Sequence, residues 1–264
     1  IYNAIAGVAE ARSVDLSAIK ACISGGAPLP AEVRVAFETT TGGKLVEGYG
    51  LSEASPIITC NPLTGENKGG SAGLPFPGTT IEIRDRDNPD RLMPPGEVGE
   101  ICARGPQVMS GYWNKPAESE QVFIDGALRT GDVGYLDEDG YLFIVDRIKD
   151  MILCGGYNVY PRMIEEALYE HPAVAEAVVI GVPDAYRGQS PKAFVTLTPD
   201  HEVSPTELRV FLQDKVSKIE LPREVEIRKS LPKTLIGKLS KKELVEEELA
   251  KAAAKAAAGG GTTG

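Results

Sequence analysis

Apolar and polar residues follow three successive patterns along the chain, and each predicts a different type of structure. Residues 1–60 alternate between helical and strand patterns, as α/β segments do. The stretch from Pro30 to Thr39 predicts a helix, because its apolar side chains recur four residues apart. Residues 44–46 predict a short strand that runs into a glycine-containing turn at residues 47–50. Because α/β sheets usually bind ligands where a strand meets its following loop, this turn is a candidate site.

A second pattern, over residues 71–145, predicts a small β-rich subdomain. Residues 80–84 alternate between polar and apolar side chains, as a half-buried strand does. Residues 97–103 and 141–145 also predict strands. The polar run Asp137-Glu138-Asp139-Gly140 lies between two apolar runs and predicts the turn of a hairpin.

From about Asp146 the pattern predicts an α+β unit. Pro161 occupies the first position of a predicted helix, whose apolar face begins at Ile164. Residues 204–207 (SPTE) form a capping box with proline at the first helical position. We also predict strands over residues 174–182, 193–198 and 224–228, and a charged, alanine-rich helix over residues 243–258 before a glycine tail.

Composition and charge limit the classes of function. Of 264 residues, 42% are hydrophobic and 25% are charged, which is ordinary for a globular protein. The net charge of −10 argues against a nucleic-acid partner, which would need a basic surface. The sequence contains neither an apolar run of the ~18 residues that a membrane helix needs nor a basic-then-apolar leader. Because the chain begins at Ile1 rather than at a methionine, the sequence does not decide whether a leader precedes it.

The cysteines and histidines do not predict a metal site. The four cysteines form no CxxC pair, so reduced thiols in the cytoplasm are expected. The two histidines leave few candidates for a histidine base. The cysteines are Cys22, Cys60, Cys102 and Cys154, and the histidines are His171 and His201.

Four segments carry more specific chemistry than the general pattern. They are residues 47–53 (EGYGLSE); residues 112–114 (YWN) with 128–135 (LRTGDVGY); residues 146–150 (DRIKD) with 155–161 (GGYNVYP); and residues 231–238 (LPKTLIGK). Their order and spacing resemble those of adenylate-forming acyl-CoA synthetases, a family that also includes luciferases and peptide-synthetase adenylation domains. The resemblance extends to about Leu244.

The resemblance implies an α/β and α+β fold in three parts. Residues 1–146 would be the last part of a large N-terminal AMP-binding region, with an α/β segment (1–70) and a β-barrel-like subdomain (71–146). Residues 147–250 would be a mobile α+β C-terminal domain, and residues 251–264 a flexible tail. The phosphate loop of the family has no match, so we expect a piece of a longer protein that is inactive alone.

The resemblance also implies a nucleotide site. Glycines let the backbone approach a nucleotide, an aromatic ring stacks on adenine, and a carboxylate holds Mg²⁺ bound to phosphates. Tight turns and a surface salt bridge are the structural alternatives. The nucleotide residues implied are Gly25, Gly26, Ala27, Glu47, Gly48, Tyr49, Gly50, Leu51, Ser52 and Ile144, with Asp132 and Arg147 on the ribose and Glu53 as a catalytic residue and Mg²⁺ ligand.

Further residues are implied for catalysis and for the second half of the reaction. Lys238 matches the lysine that contacts the carboxylate and the α-phosphate during adenylation; the alternative is an ordinary exposed lysine. Lys149 matches the hinge of the rotating C-terminal domain. Gly155, Gly156 and Tyr157 match the loop that faces the pantetheine thiol, although a turn between two strands would also use both glycines.

The implied activity is that of a fatty acyl-CoA ligase using ATP, Mg²⁺ and CoA on a small-molecule carboxylate. Residues 105–113 and 146–161 are most similar to bacterial long- and medium-chain enzymes, although these residues mostly lie outside the acyl pocket. Two alternatives stay open: an adenylation domain that loads a carrier-protein thiol, and an inactive nucleotide-binding fragment. Peripheral membrane association and homodimer formation are left open too.

Overall fold

The computed structural model describes residues 1–7, 14–26, 29, 31–199, 201–234 and 237–259. The chain clusters into two compact units, Ile1–Val145 and Asp146–Gly264. The predicted combination of α/β and α+β structure is confirmed. Within the described ranges, no helix is long and apolar enough to cross a membrane.

The bounds of the elements are as follows. The helices are α1 (Tyr2–Gly7), α2 (Ala31–Thr41), α3 (Pro116–Gln121), α4 (Pro161–Tyr169), α5 (Pro205–Leu212) and α6 (Lys242–Gly259). The strands are β1 (Ala21–Ser24), β2 (Lys44–Gly50), β3 (Ile57–Cys60), β4 (Leu74–Pro75), β5 (Thr80–Arg84), β6 (Gly99–Arg104), β7 (Phe123–Ile124), β8 (Ala127–Leu136), β9 (Leu142–Arg147), β10 (Ile152–Cys154), β11 (Tyr157–Val159), β12 (Val174–Asp184), β13 (Gly188–Leu197) and β14 (Glu224–Ile227).

The first sheet has the order β1-β2-β3-β4, with β1 and β2 parallel and the other pairs antiparallel. Strand β2 continues to Gly50, so the predicted turn at residues 47–50 is wrong. The glycines serve close backbone contact instead, because a Cβ on Gly50 would lie 1.8 Å from the carbonyl oxygen of Pro56. A Cβ on Gly48 would lie 3.3 Å from the carbonyl oxygen of Thr59.

The second sheet has the order β5-β6-β8-β7, with β9 also paired to β8. The strands predicted at residues 80–84, 97–103 and 141–145 are confirmed as β5, β6 and β9. In the hairpin between β8 and β9, Asp137 N–H donates to Tyr141 O and Gly140 N–H donates to Asp137 O, both at 3.0 Å. These strands form a β-rich subdomain around buried isoleucine and leucine side chains.

The sheet of the second unit has the order β11-β10-β13-β12, with β14 parallel to β13. Strand β12 is apolar on both faces because each face is covered. Ala177 and Val179 pack in a core with residues of α4 and α5, whereas Val178 and Ile180 pack with Leu244 of α6. The unit is therefore a three-layer arrangement of helices, sheet and helix.

The capping box predicted at the start of α5 is confirmed. Ser204 Oγ accepts the Glu207 N–H at 3.2 Å, and Glu207 Oε2 accepts the Ser204 N–H at 2.8 Å. At the other end of the unit, α6 runs to Gly259, so the first part of the flexible tail predicted from residue 251 is helical.

We expect Ser204→Ala to lower the free energy of unfolding of the second unit by about 1 kcal/mol, because an orphan N–H of the helix loses its acceptor. Urea denaturation followed by circular dichroism measures this change. Ser204→Thr is the control, since it keeps a capping hydroxyl and should lose less than half as much. Equal losses in both variants would show that the hydroxyl does not stabilise the helix.

Candidate functional site

The two glycine-containing segments predicted for adenine lie together in the first unit. Ser24 pairs with Glu47 in the parallel register of β1 and β2. A Cβ on Gly25 would lie 3.1 Å from the carbonyl oxygen of Gly48, so the loop after β1 lies directly against β2. Gly26 has φ +78°, which suits glycine. Ala27 lies outside the described residues.

Glu47 and Tyr49 make contacts that extend from β2. The Glu47 carboxylate accepts the Leu29 N–H at 3.3 Å, which holds the chain beyond the loop after β1. The Tyr49 hydroxyl donates to Asp132 Oδ2 at 2.5 Å. Residues from two predicted nucleotide motifs, 83 positions apart, are therefore in direct contact.

The half-buried Asp132 lies at an irregularity in β8. Glu100 of β6 pairs with Val133, and Cys102 pairs with Arg129, so residues 130–132 lie opposite a single residue of β6. This bulge is stabilised internally, because Thr130 Oγ1 accepts the Asp132 N–H at 3.1 Å and donates to the Ile101 carbonyl at 2.8 Å. Gly131 has φ +72°. Bulges commonly re-aim a side chain next to a functional site.

Glu53 lies at a cleft of about 210 Å³ in the same unit. It belongs to a short 3₁₀ turn, Ser52–Ala54, which follows β2. Its Oε1 accepts the hydroxyl hydrogen of Tyr112 at 2.8 Å, and this hydrogen bond is the largest cause of the raised pKa of Tyr112. Tyr112 is therefore a neutral donor to the Glu53 carboxylate over the physiological pH range.

An ion pair lines the same cleft. Arg129 donates from Nε and Nη2 to Glu100 Oε2, at 2.9 and 2.7 Å. Glu100 is only 3% exposed, so its charge needs this partner. The pair connects β6 to β8 beside the bulge.

The remaining predicted nucleotide residues of the first unit have simpler surroundings. Leu51 and Ile144 are partly buried and pack against the apolar core of that unit. Ser52 is exposed at the start of the 3₁₀ turn. Leu51 also lines the cleft, Ser52 lies between Leu51 and Glu53 in the chain, and Ile144 belongs to the supporting core.

In the second unit, Asp146 anchors the segment that carries Arg147 and Lys149. Its two carboxylate oxygens accept the N–H groups of Arg147 at 2.7 Å and of Arg162, in the first turn of α4, at 2.8 Å. Arg147 and Lys149 are both exposed, and Lys149 lies in the 3₁₀ turn Ile148–Asp150. The boundary between the units falls directly before Asp146. The hinge role of Lys149 stays a prediction.

Gly155 and Gly156 form the two-residue turn between β10 and β11, with φ +59° and +84°. Both positive angles match the turn type that favours glycine in tight hairpins. A Cβ on Gly156 would meet no atom within 4 Å, so backbone conformation rather than crowding within this unit requires glycine here. Tyr157 follows and is 66% exposed.

Lys238 lies on a small hairpin. Thr234 N–H donates to the Lys238 carbonyl at 2.7 Å, and Lys238 N–H donates to Thr234 Oγ1 at 3.1 Å. Lys233 and Leu239 form a β-bridge beside this pair. Lys238 is exposed at the start of the returning arm.

A second cleft, of about 440 Å³, lies in the second unit and is mostly basic. Asp184 is its one carboxylate and pairs with Arg223 at 2.9 Å. Hydrogen bonds from Ser190 and from two backbone N–H groups hold the pKa of Asp184 well below its usual range. The cations that line the cleft are Arg187, Arg209, Lys218 and Arg223.

Sequence reasoning missed several residues at these sites. Tyr112 belongs to the YWN motif, but it contacts Glu53, which lies 59 positions earlier in the chain. No pattern in the neighbouring sequence predicts this contact. The bulge at residues 130–132 depends on strand pairing. Conversely, Asp132 belongs to the first unit and Arg147 to the second, so their joint contact with ribose stays a prediction.

Two family models match consecutive parts of the chain. The model described as AMP-binding enzyme matches residues 1–113, and the one described as AMP-binding enzyme C-terminal domain matches residues 163–238. The chain belongs to the AMP-binding enzyme family. One match therefore lies within each compact unit of the chain.

Curated relatives and solved structures agree with this membership. The chain is 52% identical over 248 residues to the long-chain-fatty-acid–CoA ligase of Bacillus subtilis (strain 168), covering 94% of this chain and 44% of that protein. It is 43% identical to the Yersinia pestis ligase of the same name, with the same coverage. The amide bond synthetase McbA from Marinactinospora thermotolerans is 36% identical with a TM-score of 0.85, covering 93% of this chain and 50% of that one. The chain spans less than half of the length of these curated relatives.

Proposed function

We propose that the protein to which this chain belongs is an ATP-dependent fatty acyl-CoA ligase. The carboxylate of the fatty acid attacks the α-phosphorus of ATP, and the bond to the leaving pyrophosphate breaks. The thiol of CoA then displaces AMP from the acyl-adenylate to form the thioester. The observation that carries the proposal is the Tyr49–Asp132 hydrogen bond, because it joins two nucleotide motifs. The identity with the Bacillus subtilis ligase supports the substrate class.

In the first half-reaction, each motif has a distinct role. The glycines of β2 and of the loop after β1 let the adenine approach the backbone, with the ring of Tyr49 against it. Asp132 accepts hydrogen bonds from the ribose hydroxyls, together with Arg147 as a donor. Lys238 supplies a positive charge to the carboxylate and the α-phosphate as negative charge moves to pyrophosphate.

The Glu53 carboxylate is suited to bind a Mg²⁺ ion that is also bound by the phosphates of ATP. Mg²⁺ is commonly held by one or two carboxylates, water and substrate phosphates. Among the described residues, no group of three or more His, Cys, Asp or Glu could hold a metal ion by itself, and Glu53 is a single carboxylate at a cleft. The ion would neutralise charge on the phosphates, and Tyr112 orients the carboxylate that holds it.

We expect Glu53→Gln to raise the Mg²⁺ concentration for half-maximal adenylation about tenfold, because a neutral amide is a weaker ligand for a hard cation. A magnesium titration of ATP–pyrophosphate exchange in the full-length protein measures it. Glu66→Gln, at an exposed position, is the control. An unchanged magnesium requirement in Glu53→Gln would remove Glu53 from the metal site.

In the second half-reaction, the second unit would face CoA. Rotation at Lys149 would bring the Gly155-Gly156 turn and Tyr157 to the pantetheine thiol. The basic cleft at Arg187 supports this arrangement, since four cations around one carboxylate suit the phosphates of CoA.

A CoA-ligation assay on the full-length protein, with ATP, Mg²⁺ and straight-chain acids from about two to eighteen carbons, tests the proposal. A maximum at medium or long chains is expected. Adenylate without thioester on any acid would indicate a domain that loads a carrier protein. We also propose a cytoplasmic location; fractionation and sedimentation would show whether the protein associates with membranes or forms homodimers.

A further inference from the structure

Each described arm of the hairpin that carries Lys238 forms an ion pair with the rest of its unit, in addition to the apolar packing of Leu239. Lys233 Nζ lies 2.5 Å from Glu176 Oε1 of β12. Lys241 Nζ, three positions after Lys238, lies 3.2 Å from Glu165 Oε1 of α4. Each pair connects an arm of the hairpin to the framework of α4 and β12.

The two ion pairs differ in how much solvent screens them. The side chains of Lys233 and Glu176 are 46% and 30% exposed, so their pair contributes little. Those of Lys241 and Glu165 are 24% and 16% exposed. The Lys241–Glu165 pair is therefore the less screened of the two ion pairs, and it belongs to the arm on which Lys238 lies.

Glu165 is itself held in place by the sheet. Strand β12 is an edge of its sheet, and its outward N–H groups need acceptors. Glu165 Oε1 accepts the Val179 N–H at 2.8 Å, and the Tyr169 hydroxyl, one helical turn later, accepts the Ala177 N–H at 3.1 Å. The same carboxylate thus covers a strand edge and attracts Lys241.

The electrostatic surroundings of Glu165 make Lys241 important for its charge. Burial is the largest influence and raises the pKa of Glu165, Asp146 raises it further, and Lys241 and the Val179 N–H oppose them. A carboxylate in such a place depends on its cation. Removing either partner would leave the other incompletely compensated.

We propose that Glu165 is the positioning residue for Lys238, acting through Lys241 on the returning arm of the hairpin. This inference rests on the proposed adenylation role of Lys238. Glu165 fixes α4, the edge of β12 and the hairpin as one rigid support, so that the Lys238 ammonium group meets the reacting carboxylate in a fixed geometry. Misplacement of such a group by about 1 Å costs up to about 100-fold in rate.

The test uses Glu165→Gln in the full-length protein, because glutamine keeps an acceptor for the Val179 N–H and removes only the charge. We expect ATP–pyrophosphate exchange to fall about tenfold, by lower kcat at a nearly unchanged KM for ATP. Thioester formation from supplied acyl-AMP should change less than about twofold. Lys241→Met should reproduce this pattern. In a Lys238→Ala background, Glu165→Gln should have no further effect, since it acts only through Lys238.

Glu166→Gln is the matched control, because Glu166 is the next residue on α4, is half exposed, and forms its ion pair with Arg162 of the same helix. It should leave both half-reactions unchanged. Equal losses in the two half-reactions, or a full additional loss in the Lys238→Ala background, would overturn the proposal. If Lys238→Ala itself leaves adenylation intact, the adenylation role proposed for Lys238 is wrong. This outcome is distinct from one in which Lys238 is required and Glu165 does not position it.

Discussion

Lys238→Ala in the full-length protein is expected to slow acyl-adenylate formation about 10²- to 10³-fold. One preorganised donor to developing negative charge contributes about this much in other enzymes. Thioester formation from supplied acyl-AMP and CoA should change by less than about threefold, because pyrophosphate has already left. ATP–pyrophosphate exchange measures the first half-reaction, and thioester formation from synthetic acyl-AMP measures the second.

Alanine at position 238 retains the backbone hydrogen bonds of the hairpin. The N–H of residue 238 donates to Thr234 Oγ1, and its carbonyl accepts the Thr234 N–H. Lys242→Ala is the control, since Lys242 is an exposed lysine four positions later, with 83% of its side chain exposed. Similar losses in both half-reactions of Lys238→Ala would contradict a role specific to adenylation.

Asp132→Asn should raise the KM for ATP about 10- to 100-fold, the second largest effect we expect. Asparagine has nearly the same shape, but it replaces charge-assisted hydrogen bonds to the ribose, each contributing about 1.5–3 kcal/mol, with weaker ones. Initial rates of pyrophosphate exchange at varied ATP concentration give the KM. A smaller rise is expected for Tyr49→Phe, which keeps the ring but removes the hydroxyl that orients Asp132.

Asp139→Asn provides the comparison for Asp132. Asp139 is an aspartate of the neighbouring hairpin turn, is 71% exposed and pairs with Lys68. Its substitution should leave the KM for ATP unchanged. A parallel rise in the KM for the fatty acid in Asp132→Asn would indicate a general disturbance of the fold rather than the loss of a ribose contact.

The elements that depend on local physics were predictable from sequence alone. Helix α4 begins at Pro161 because proline suits the first helical position, and its apolar face is buried as the pattern predicts. The capping box at Ser204 and the polar turn at residues 137–140 are also local signals. Four motifs in order were enough to suggest the family, because their order and spacing resemble those of its members.

Sequence reasoning was wrong where a residue type has two structural uses. Glycines at positions 48 and 50 suggested a turn, but strand β2 continues through both. They are glycines because the backbone of the adjacent segment, at Thr59 and Pro56, lies where a Cβ would be. Glycines at positions 155 and 156 do form a turn, as one of the two readings of that loop required. Only the pairing of strands distinguishes these two cases.

The sequence by itself determined most of the elements and the residue types that the motifs carry, because periodicity, caps and turn residues act over a few positions. The tertiary structure decided which of these residues meet. It brings Tyr49 to Asp132 across 83 positions, places Asp132 on a bulge of β8, and places Glu165 between the edge of β12 and Lys241. Such contacts arise from strand register and from unsatisfied edge N–H groups, which exist only once the sheet has formed.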